Sequence, residues 1–450
     1  MDPVLVSTLF GSMALVVLVA IIASIRRGSN FLQWDASTAF ILLVALALAL
    51  PYGFTQFTGG LKSFVDATGA LIVLPDARAG QISQAIVPLI ILLGVAFFIQ
   101  GIWLRRAFYW PPVLAILLVV VTDLSSALAG AGEPGSPRIW ALISIFLAAT
   151  VLPRGRGAQT GIAIFGLTVA LASTVLMFAN YSAAIRACRL DKCGPLGNLI
   201  LGVANGENVL AILIAPCIPA AYLIFQNRTR WIVTAYLTAF VWLAGSRTAA
   251  AAALVVSVLI VVTRVRQDSA PSMTQKVFVR LTFSVGVAVC AVLPFVPLDR
   301  GQFTGRADLW ALARSQLIDS PVLGFGGLTW GNQVQIGIIT RDQAYSVHNQ
   351  FLDVFYTAGV TGLIIFVLMV VLAIALSKRG YRALSLLLLA PMVYVGILER
   401  SWAFGLLDVW AWMCAAMMLA LPSPDSNGSS SASEGLIRQE WVGARALPSR

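Results

Sequence analysis

Residues 84–106 read QAIVPLIILLGVAFFIQGIWLRR, and this stretch decides the fold class. Its first part, 84–104, is mainly apolar, and Arg105 and Arg106 follow it directly. A helix needs about 20 mainly apolar residues to cross the hydrocarbon core of a bilayer, whereas a barrel strand needs about 9–11 residues of alternating polarity. Residues 84–104 are therefore long enough to span a membrane as an α-helix, and the two arginines mark where the helix leaves the membrane.

The rest of the chain repeats this pattern. Of its 450 residues, 59% are hydrophobic and 11% are charged, whereas soluble domains have about 45–50% apolar and about 25% charged residues. A spanning segment must satisfy its backbone hydrogen bonds internally, which favours helices for runs of this length. We predict an all-α polytopic membrane protein with about 12–13 transmembrane helices. The apolar runs lie at 3–25, 36–53, 84–104, 111–129, 138–153, 158–180, 206–226, 231–246, 248–263, 278–298, 350–377, 383–399 and 403–421.

Basic residues set the predicted topology, because lysine and arginine are in excess on the cytoplasmic side and here gather at every second connection. We therefore predict an outside N-terminus, helices 1–10 within 1–298, a long extracytoplasmic loop at 299–349 and helices 11–13 within 350–421. The polar tail 422–450 has too little apolar surface to pack and is predicted to be a disordered cytoplasmic end. The basic clusters are Arg26-Arg27, Arg105-Arg106, Arg154/Arg156, Arg228/Arg230, Arg264/Arg266/Lys276 and Lys378/Arg379/Arg382.

The formal net charge of +11 is the one feature that suggests nucleic acid as a partner. The basic residues, however, form small clusters between apolar runs, whereas nucleic-acid binding uses a continuous basic stripe or face. We therefore predict the lipid bilayer as a partner and no nucleic acid.

Two of the five cysteines differ from the others in their surroundings. Cys217, Cys290 and Cys414 lie in apolar runs, where cysteine is usually a small hydrophobic residue. Cys188 and Cys193 lie in Cys-Arg-Leu-Asp-Lys-Cys, in a connection predicted to be outside, where an oxidising compartment allows a disulfide. We predict that these two pair; the alternative is two free thiols.

The sequence contains a single histidine, His348, at the junction of the long loop with the next helix. An imidazole accepts a proton near neutral pH, as a general base must. The alternative is an interfacial histidine, or one that forms part of a helix cap with Asn349. Further charges predicted on the outer side indicate an outward-facing polar chamber. They are Arg247, Arg306, Arg314, Arg341, Asp353, Glu399 and Arg400.

Two of these arginines have positions suited to binding an anion. Arg247 follows a tight Gly245-Ser246 corner between two helices, and Arg306 begins a short amphipathic helix predicted to lie on the outer face. The planar fork of a guanidinium suits phosphate oxygens. The alternative for each is a charge that extends toward lipid headgroups or solvent. The apolar side of the short helix is formed by Leu309, Trp310, Ala313 and Leu317.

Metal ligands do not cluster in the sequence. Asp308, Asp319 and Asp342 are scattered, and one histidine cannot form a typical zinc site. We therefore predict a chemistry without metal or cofactor.

An ordered set of motifs over about 245–365 resembles the O-antigen ligase and polysaccharide polymerase superfamily. Upstream, Lys192-Cys193-Gly194 followed by Gly206-Glu207-Asn208 is similar to an asparagine-containing segment of the same family, whereas the first 180 residues match only in hydropathy. The motifs are Gly245-Ser246-Arg247-Thr248, Gly305-Arg306 with Trp310, Asp319-Ser-Pro-Val-Leu-Gly-Phe-Gly326 and Ala344-Tyr-Ser-Val-His348-Asn349.

The resemblance implies a membrane-embedded, GT-C-like glycosyltransferase that is metal-independent and inverting. It implies a site on the outer side of the bacterial inner membrane, a polyprenyl-pyrophosphate-linked glycan as donor and a glycan or glycolipid as acceptor. His348 would be the base that deprotonates the acceptor hydroxyl, and Arg247 and Arg306 would hold the donor pyrophosphate. The resemblance assigns no role to four further candidates, which are Glu207, Arg314, Arg341 and Arg400.

Two questions of function stay open at this point. Within the family, the motifs fit both a polymerase, which we favour, and a ligase that moves a finished glycan onto another acceptor. Outside it, the alternative is a transporter or flippase of lipid-linked oligosaccharide, which predicts ionisable residues near the bilayer midplane on several helices. Asp123 comes closest to such a position, and it lies near the outer end of its helix.

Overall fold

The computed structural model describes residues 3–26, 33–58, 62–65, 71–74, 77–189, 192–265, 270–299, 301–334, 336–339 and 346–423. Arg341 and the tail beyond residue 423 lie outside the described residues, so what the sequence predicts for them stays a prediction.

The described residues form an all-α polytopic membrane protein, as the sequence predicts. Every one of the predicted apolar runs contains helix. The helices are α1 (Pro3–Arg26), α2 (Ala36–Phe57), α3 (Ala77–Trp103), α4 (Pro111–Leu128), α5 (Pro137–Ala149), α6 (Arg156–Ala179), α7 (Tyr181–Ala184), α8 (Glu207–Ile214), α9 (Cys217–Ile224), α10 (Asn227–Leu243), α11 (Arg247–Thr263), α12 (Met273–Val292), α13 (Arg306–Leu317), α14 (Thr329–Asn332), α15 (Gln350–Ala375), α16 (Arg382–Gly396) and α17 (Ala411–Ala420).

Within the described residues, eight helices are long and apolar enough to cross a membrane, with α8 and α9 counted together. The helices α5, α11 and α17 are apolar but shorter. At 1.5 Å rise per residue, a helix of 10–17 residues is shorter than the roughly 30 Å hydrocarbon core. The predicted count of 12–13 spans therefore depends on these short helices and on α10 and α16.

Three predicted runs are not continuous helices, and one of them, 350–377, is broken at Gly359. Run 206–226 breaks between α8 and α9, where Pro216 lacks the N–H that a continuous helix uses. In run 403–421 only α17 is helical, and 397–410 forms an irregular buried stretch, here called the 397–410 segment. In this segment Gly405 approaches Gly327 so closely that a Cβ at Gly405 would lie 2.8 Å from the Gly327 Cα. The break in 206–226 follows from a proline, whereas the one in 403–421 involves a contact that hydropathy does not record.

Two small antiparallel hairpins add to the helices, both in connections predicted to be outside. The first pairs β1 (Lys62–Val65) with β2 (Leu71–Leu74). The second pairs β3 (Ile185–Ala187) with β4 (Asn198–Ile200) and carries the Cys188/Cys193 loop. In each hairpin the two strands pair along one edge only, and β4 makes a further contact, because Ile200 N donates to Ala244 O at 3.1 Å.

The predicted short helix at Arg306 is α13, but its apolar side meets protein. Trp310 and Ala313 are fully buried. They pack with Leu352 and Tyr356 of α15 in a small core beneath the 299–349 loop. The helix is thereby fixed on the bundle, which a helix held only by a bilayer surface would not be.

Backbone hydrogen bonds of residues 321–327 attach this loop to α15. The helix is broken at Gly359 (φ +62°). At this break Phe325 N donates to Tyr356 O at 2.8 Å, and Val360 N donates to Pro321 O at 2.9 Å. The loop therefore supplies hydrogen bonds that the broken helix lacks.

Candidate active site

Glu399, in the 397–410 segment, is the centre of a buried ionic cluster. Its carboxylate is 2% exposed. Oε2 lies 2.8 Å from His348 Nδ1, and Oε1 accepts a hydrogen bond from the guanidinium of Arg306. Asn208 Nδ2 also donates to Oε1, at 3.3 Å. One carboxylate thus joins the only histidine, an arginine of α13 and the start of α8.

The backbone around His348 is held by its neighbour Asn349. The Oδ1 of Asn349 caps α15 by accepting from Leu352 N at 2.9 Å. Its Nδ2 donates to Cys290 O at 2.9 Å and to Ile397 O at 3.0 Å, so it ties α15 to α12 and to the 397–410 segment. Asn349 therefore forms the helix cap, and the His348 side chain points to Glu399.

His348 itself has a left-handed backbone, with φ +58°. Its N–H donates to Ser346 Oγ at 3.1 Å. A non-glycine residue in this region costs about 1–2 kcal/mol, which the surrounding contacts must offset. The conformation turns the imidazole out of the helical path of α15 and toward the carboxylate.

The neighbouring Gln350 holds the segment that carries Glu399. Its Oε1 accepts from Ser401 N at 2.9 Å and from Trp402 N at 2.7 Å, and its Nε2 donates to Trp402 O at 3.1 Å. The start of α15 thus fixes both His348 and the backbone on either side of Glu399. The positions of His348 and Glu399 are preorganised, because the buried side chains of Asn349 and Gln350 hold the backbone that carries them.

Arg306 is the first residue of α13 and follows Gly305, which has a left-handed backbone (φ +80°). One terminal nitrogen binds Glu399, and the other donates to Phe303 O at 3.4 Å. The Nε is buried, and among the described residues it has no hydrogen-bond partner. The guanidinium of Arg306 that binds Glu399 therefore has one N–H donor, at Nε, without a partner among the described residues.

A second carboxylate extends the cluster. Glu207 accepts from Arg186 and from Lys192 Nζ, each at 2.9 Å. Lys192 Nζ also donates to Asn208 Oδ1 at 2.6 Å, and Asn208 in turn donates to Glu399. Glu207, Lys192, Asn208 and Glu399 thus form one continuous polar chain.

The electrostatics of the cluster favour a charged Glu399. Burial raises the pKa of Glu399, but His348, Arg306 and Lys192 together hold it below its ordinary value. Burial lowers the pKa of Lys192, against the opposing effect of Glu207. Among these residues Arg186, Lys192 and Arg306 carry three positive charges and Glu207 and Glu399 two negative ones, so the cluster keeps an excess positive charge.

The cysteine loop organises the cationic side of this cluster. Cys188 and Cys193 form a disulfide with Cα atoms 4.6 Å apart, and Arg189 and Lys192 pair across the loop it closes. The next residue, Gly194, packs against Gly245, where an added Cβ would lie 3.1 Å from the Gly194 Cα. The same hairpin therefore contacts the start of α8 and the corner that precedes Arg247.

The other predicted site residues lie in different surroundings. Arg247 is the exposed first residue of α11, after the corner that the hairpin contacts. Arg314 donates to Pro294 O and ties α13 to the end of α12. Arg400 is buried and pairs with Asp408 at 2.9 Å within the 397–410 segment. Arg341 lies outside the described residues. The cluster at Glu399 thus gathers Arg306, His348 and Glu207 of the predicted set.

Four members of the cluster are not among the site residues predicted from the sequence: Glu399, Asn208, Lys192 and Arg186. Glu399 does carry a sequence signal, because it is a carboxylate at the end of an apolar run, where charge is expensive. Among the described residues, no group of three or more His, Cys, Asp or Glu side chains is placed to hold a metal ion.

We expect the disulfide to matter for the site more than for the bundle. The double variant Cys188→Ser/Cys193→Ser should weaken the Lys192 and Gly245 contacts and lower the glycan transfer that the sequence resemblance implies about 5–30-fold, the effect of ~1–2 kcal/mol. The measurement is transfer by the detergent-purified protein with and without dithiothreitol. The reductant should bring the wild type to the level of the variant and leave the variant unchanged; a wild type that ignores full reduction would contradict this role.

Taken together, the fold and the cluster define a multi-pass membrane protein with a preorganised ionic site where its 299–349 loop meets α8 and the 397–410 segment. Residues 232–367 match a family model described as O-antigen ligase. A comparison with curated proteins finds no match. The family match confirms the resemblance to the O-antigen ligase and polymerase superfamily. The matched range contains Arg247, Arg306 and His348, whereas Glu207 and Glu399 lie outside it.

Proposed function

We propose that this protein is a glycosyltransferase of the bacterial inner membrane that acts on a polyprenyl-pyrophosphate-linked glycan at the outer face. His348 is the general base for an acceptor hydroxyl, and Arg306 and Arg247 bind the donor pyrophosphate. The observation that carries the proposal is that His348 and Arg306 share one buried carboxylate, that of Glu399. This shared carboxylate supports the proposal that a base and an anion-binding group act together in one site.

The hydrogen bond to Glu399 selects the tautomer of His348. An ionised carboxylate can only accept a hydrogen bond, so Nδ1 carries the hydrogen and Nε2 keeps its lone pair. Nε2 then accepts the proton of the acceptor hydroxyl as its oxygen attacks the anomeric carbon of the donor. Glu399 stabilises the imidazolium that forms. It is a positioning residue in this step, because it acts through His348.

Bond cleavage needs positive charge on the leaving side. As the new C–O bond forms, the bond between the anomeric carbon and the pyrophosphate breaks, and the pyrophosphate keeps the electron pair. Arg306 has a buried Nε donor available for a phosphate oxygen, and Arg247 lies exposed at the adjoining corner. A pyrophosphate so held leaves as an anion without protonation, which gives an inverting, metal-independent transfer in one displacement.

The test is in vitro transfer by the detergent-purified protein, with a polyprenyl-pyrophosphate glycan donor and EDTA present. Arg247→Ala should lower transfer about tenfold or more, the worth of a charge-assisted hydrogen bond. Arg228→Ala is the matched control. Arg228 is also exposed, but it lies at the start of α10, whereas Arg247 follows the corner after the end of α10. A wild type that transfers nothing to any acceptor would refute the glycosyltransferase and favour the transporter. Equal loss of transfer in the two variants would refute the assignment of Arg247 to pyrophosphate.

The ionisation of Glu399 gives a prediction on pH. Its pKa is held below the ordinary glutamate value, so its ion pairs stabilise the fold above the unfolded-state pKa of about 4.3, and this contribution is lost as pH falls through the folded-state pKa. Glu399→Gln should therefore lower the melting temperature at pH 7 and make less difference as the pH falls. It should also reduce transfer about tenfold at pH 7.

Thermal unfolding of both proteins between pH 7 and pH 2, a range that extends well below the unfolded-state pKa of about 4.3, measures this difference. Glu133→Gln is the matched control, because it makes the same substitution at an exposed glutamate in the connection before α5. A melting-temperature difference for Glu399→Gln that stays constant over the whole range would show that the charge of Glu399 is not what stabilises the fold.

A further inference from the structure

A cavity of about 380 Å³ lies between the end of α2, the starts of α3 and α5, and the 397–410 segment. This volume is in the range of small-ligand pockets, about 300–1,000 Å³. Aliphatic side chains of α2 and α3 form much of its wall. Its polar and glycine lining includes Tyr52, Gln56, Gly80, Arg138, Asn205 and Asp408.

The polar groups of the cavity include fixed ones. Gln56 is buried, and its Nε2 donates to Ala204 O at 2.8 Å. Asp408 accepts from Arg400 and from Trp410 N, each at 2.9 Å. Groups held in this way present their remaining hydrogen-bonding capacity to a ligand without an ordering cost.

This set of groups matches a saccharide better than a hydrocarbon chain. A sugar ring has an apolar C–H face and an edge of hydroxyls that donate and accept. The Tyr52 ring and the aliphatic wall suit the face, while the Asn205 amide, the Arg138 guanidinium and the Asp408 carboxylate suit the hydroxyls. A lipid tail in the same place would desolvate the exposed Arg138 and offer no hydrogen bond to the remaining lone pairs of Asp408.

Two residues of the cavity lining are linked to the ionic cluster through chain neighbours of that cluster. Asp408 pairs with Arg400, the neighbour of Glu399 in the 397–410 segment. Asn205 lies in the short turn before α8, and Asn208, in the first turn of that helix, donates to Glu399. We propose that this cavity is a saccharide subsite, which holds a sugar of the glycan substrate at a distance from the reacting bond. The inference rests on the proposed glycan transfer for its choice of ligand.

Gly80 offers a way to fill part of the cavity. Among the described residues, no heavy atom lies within 4 Å of a Cβ placed on Gly80, so the first atom of a new side chain meets no packed neighbour, and Gly80→Trp adds an indole at the cavity lining. A Cβ placed on Gly53, on α2, likewise meets no described heavy atom within 4 Å, but Gly53 is not part of the cavity lining. Gly53→Trp is therefore a matched control. Tyr52→Ala removes the ring from the opposite wall and serves as a second, independent variant.

The first experiment measures binding without turnover. The probe is the free oligosaccharide released by mild acid from the native lipid-linked donor, observed by saturation-transfer NMR with the full-length protein in detergent. Wild type, Gly53→Trp and His348→Asn should bind it, whereas Gly80→Trp and Tyr52→Ala should bind it about tenfold more weakly. Equal binding by both tryptophan variants, or no binding by the wild type, would overturn the subsite.

Because catalysis plays no part in this readout, the subsite and the proposed function fail separately. A wild type that binds the glycan through the cavity but transfers nothing would leave the subsite standing and refute the glycosyltransferase.

A second experiment identifies which substrate supplies the sugar. Initial rates of transfer are measured with the donor varied at fixed acceptor glycan, and then with the acceptor varied at fixed donor. A KM raised about tenfold in Gly80→Trp for the donor alone assigns the cavity to the donor glycan, and for the acceptor alone to the acceptor glycan. Unchanged KM values for both substrates would overturn the subsite.

Discussion

Replacing His348 by alanine should lower the rate of glycan transfer by about 10²–10⁴-fold, the usual contribution of a general base. The loss should fall on kcat, with little change in the KM for the donor, because Arg306 and Arg247 remain to bind pyrophosphate. The measurement is the initial rate of transfer by the purified variant over a range of donor concentrations. A loss confined to KM would show that His348 binds substrate and does not move the proton.

A second variant separates the loss of the base from a loss of folding. His348 has φ +58°, a conformation in which asparagine is enriched among non-glycine residues. His348→Asn therefore keeps the backbone, and its amide still has a donor for Glu399, but it has no group that accepts a proton near neutral pH. We expect this variant to be as inactive as His348→Ala and to melt close to the wild type. Transfer that persists in a folded His348→Asn protein would exclude the general base.

Hydropathy and charge predict the fold class because crossing a bilayer imposes a length and a composition on each helix. The same reasoning cannot place the start of α17, since a buried Arg400–Asp408 pair and the Gly405–Gly327 approach replace helix over 403–410. Those contacts join residues far apart in the chain. A hydropathy average over neighbouring residues records only that residues 403–410 are mainly apolar.

The candidate site shows the same limit more sharply. The residues His348 and Arg306 were identifiable because they lie in motifs within one loop. Their common partner, Glu399, follows His348 by a whole transmembrane hairpin, and no local pattern connects the two. The left-handed backbone of His348, which aims the ring at that carboxylate, likewise depends on Asn349 and its contacts with Cys290 and Ile397.

The disulfide loop lies between these cases. The sequence predicts the Cys188–Cys193 pair from its compartment, and the two cysteines are bonded in the structure. What the sequence does not reveal is the purpose of the loop. The buried Lys192 that it carries reaches Glu207 and Asn208, and so connects the hairpin to Glu399.

Two arginines of one helix provide the other large expected effect. Arg306 and Arg314 both belong to α13, and both were candidates from the sequence. Arg306 binds Glu399, whereas Arg314 donates to the backbone of Pro294. Arg306→Ala should cost about 2.7–4 kcal/mol in the transition state, because it removes a preorganised cation from the leaving pyrophosphate. Arg314→Ala removes a link between α13 and α12 and should lower the melting temperature with a much smaller effect on kcat.

The comparison works because the two substitutions remove the same side chain from the same helix. Transfer rates and melting temperatures of both variants are measured together with Arg306→Lys, which keeps the charge but loses the fork of donors that meets Glu399. If Arg306 acts on pyrophosphate, lysine should restore part of the rate, since a point charge still stabilises the leaving group. If it acts only by holding Glu399 in place, Arg306→Ala should resemble Glu399→Gln in its pH dependence, and equal rates for Arg306→Ala and Arg314→Ala would remove Arg306 from the mechanism.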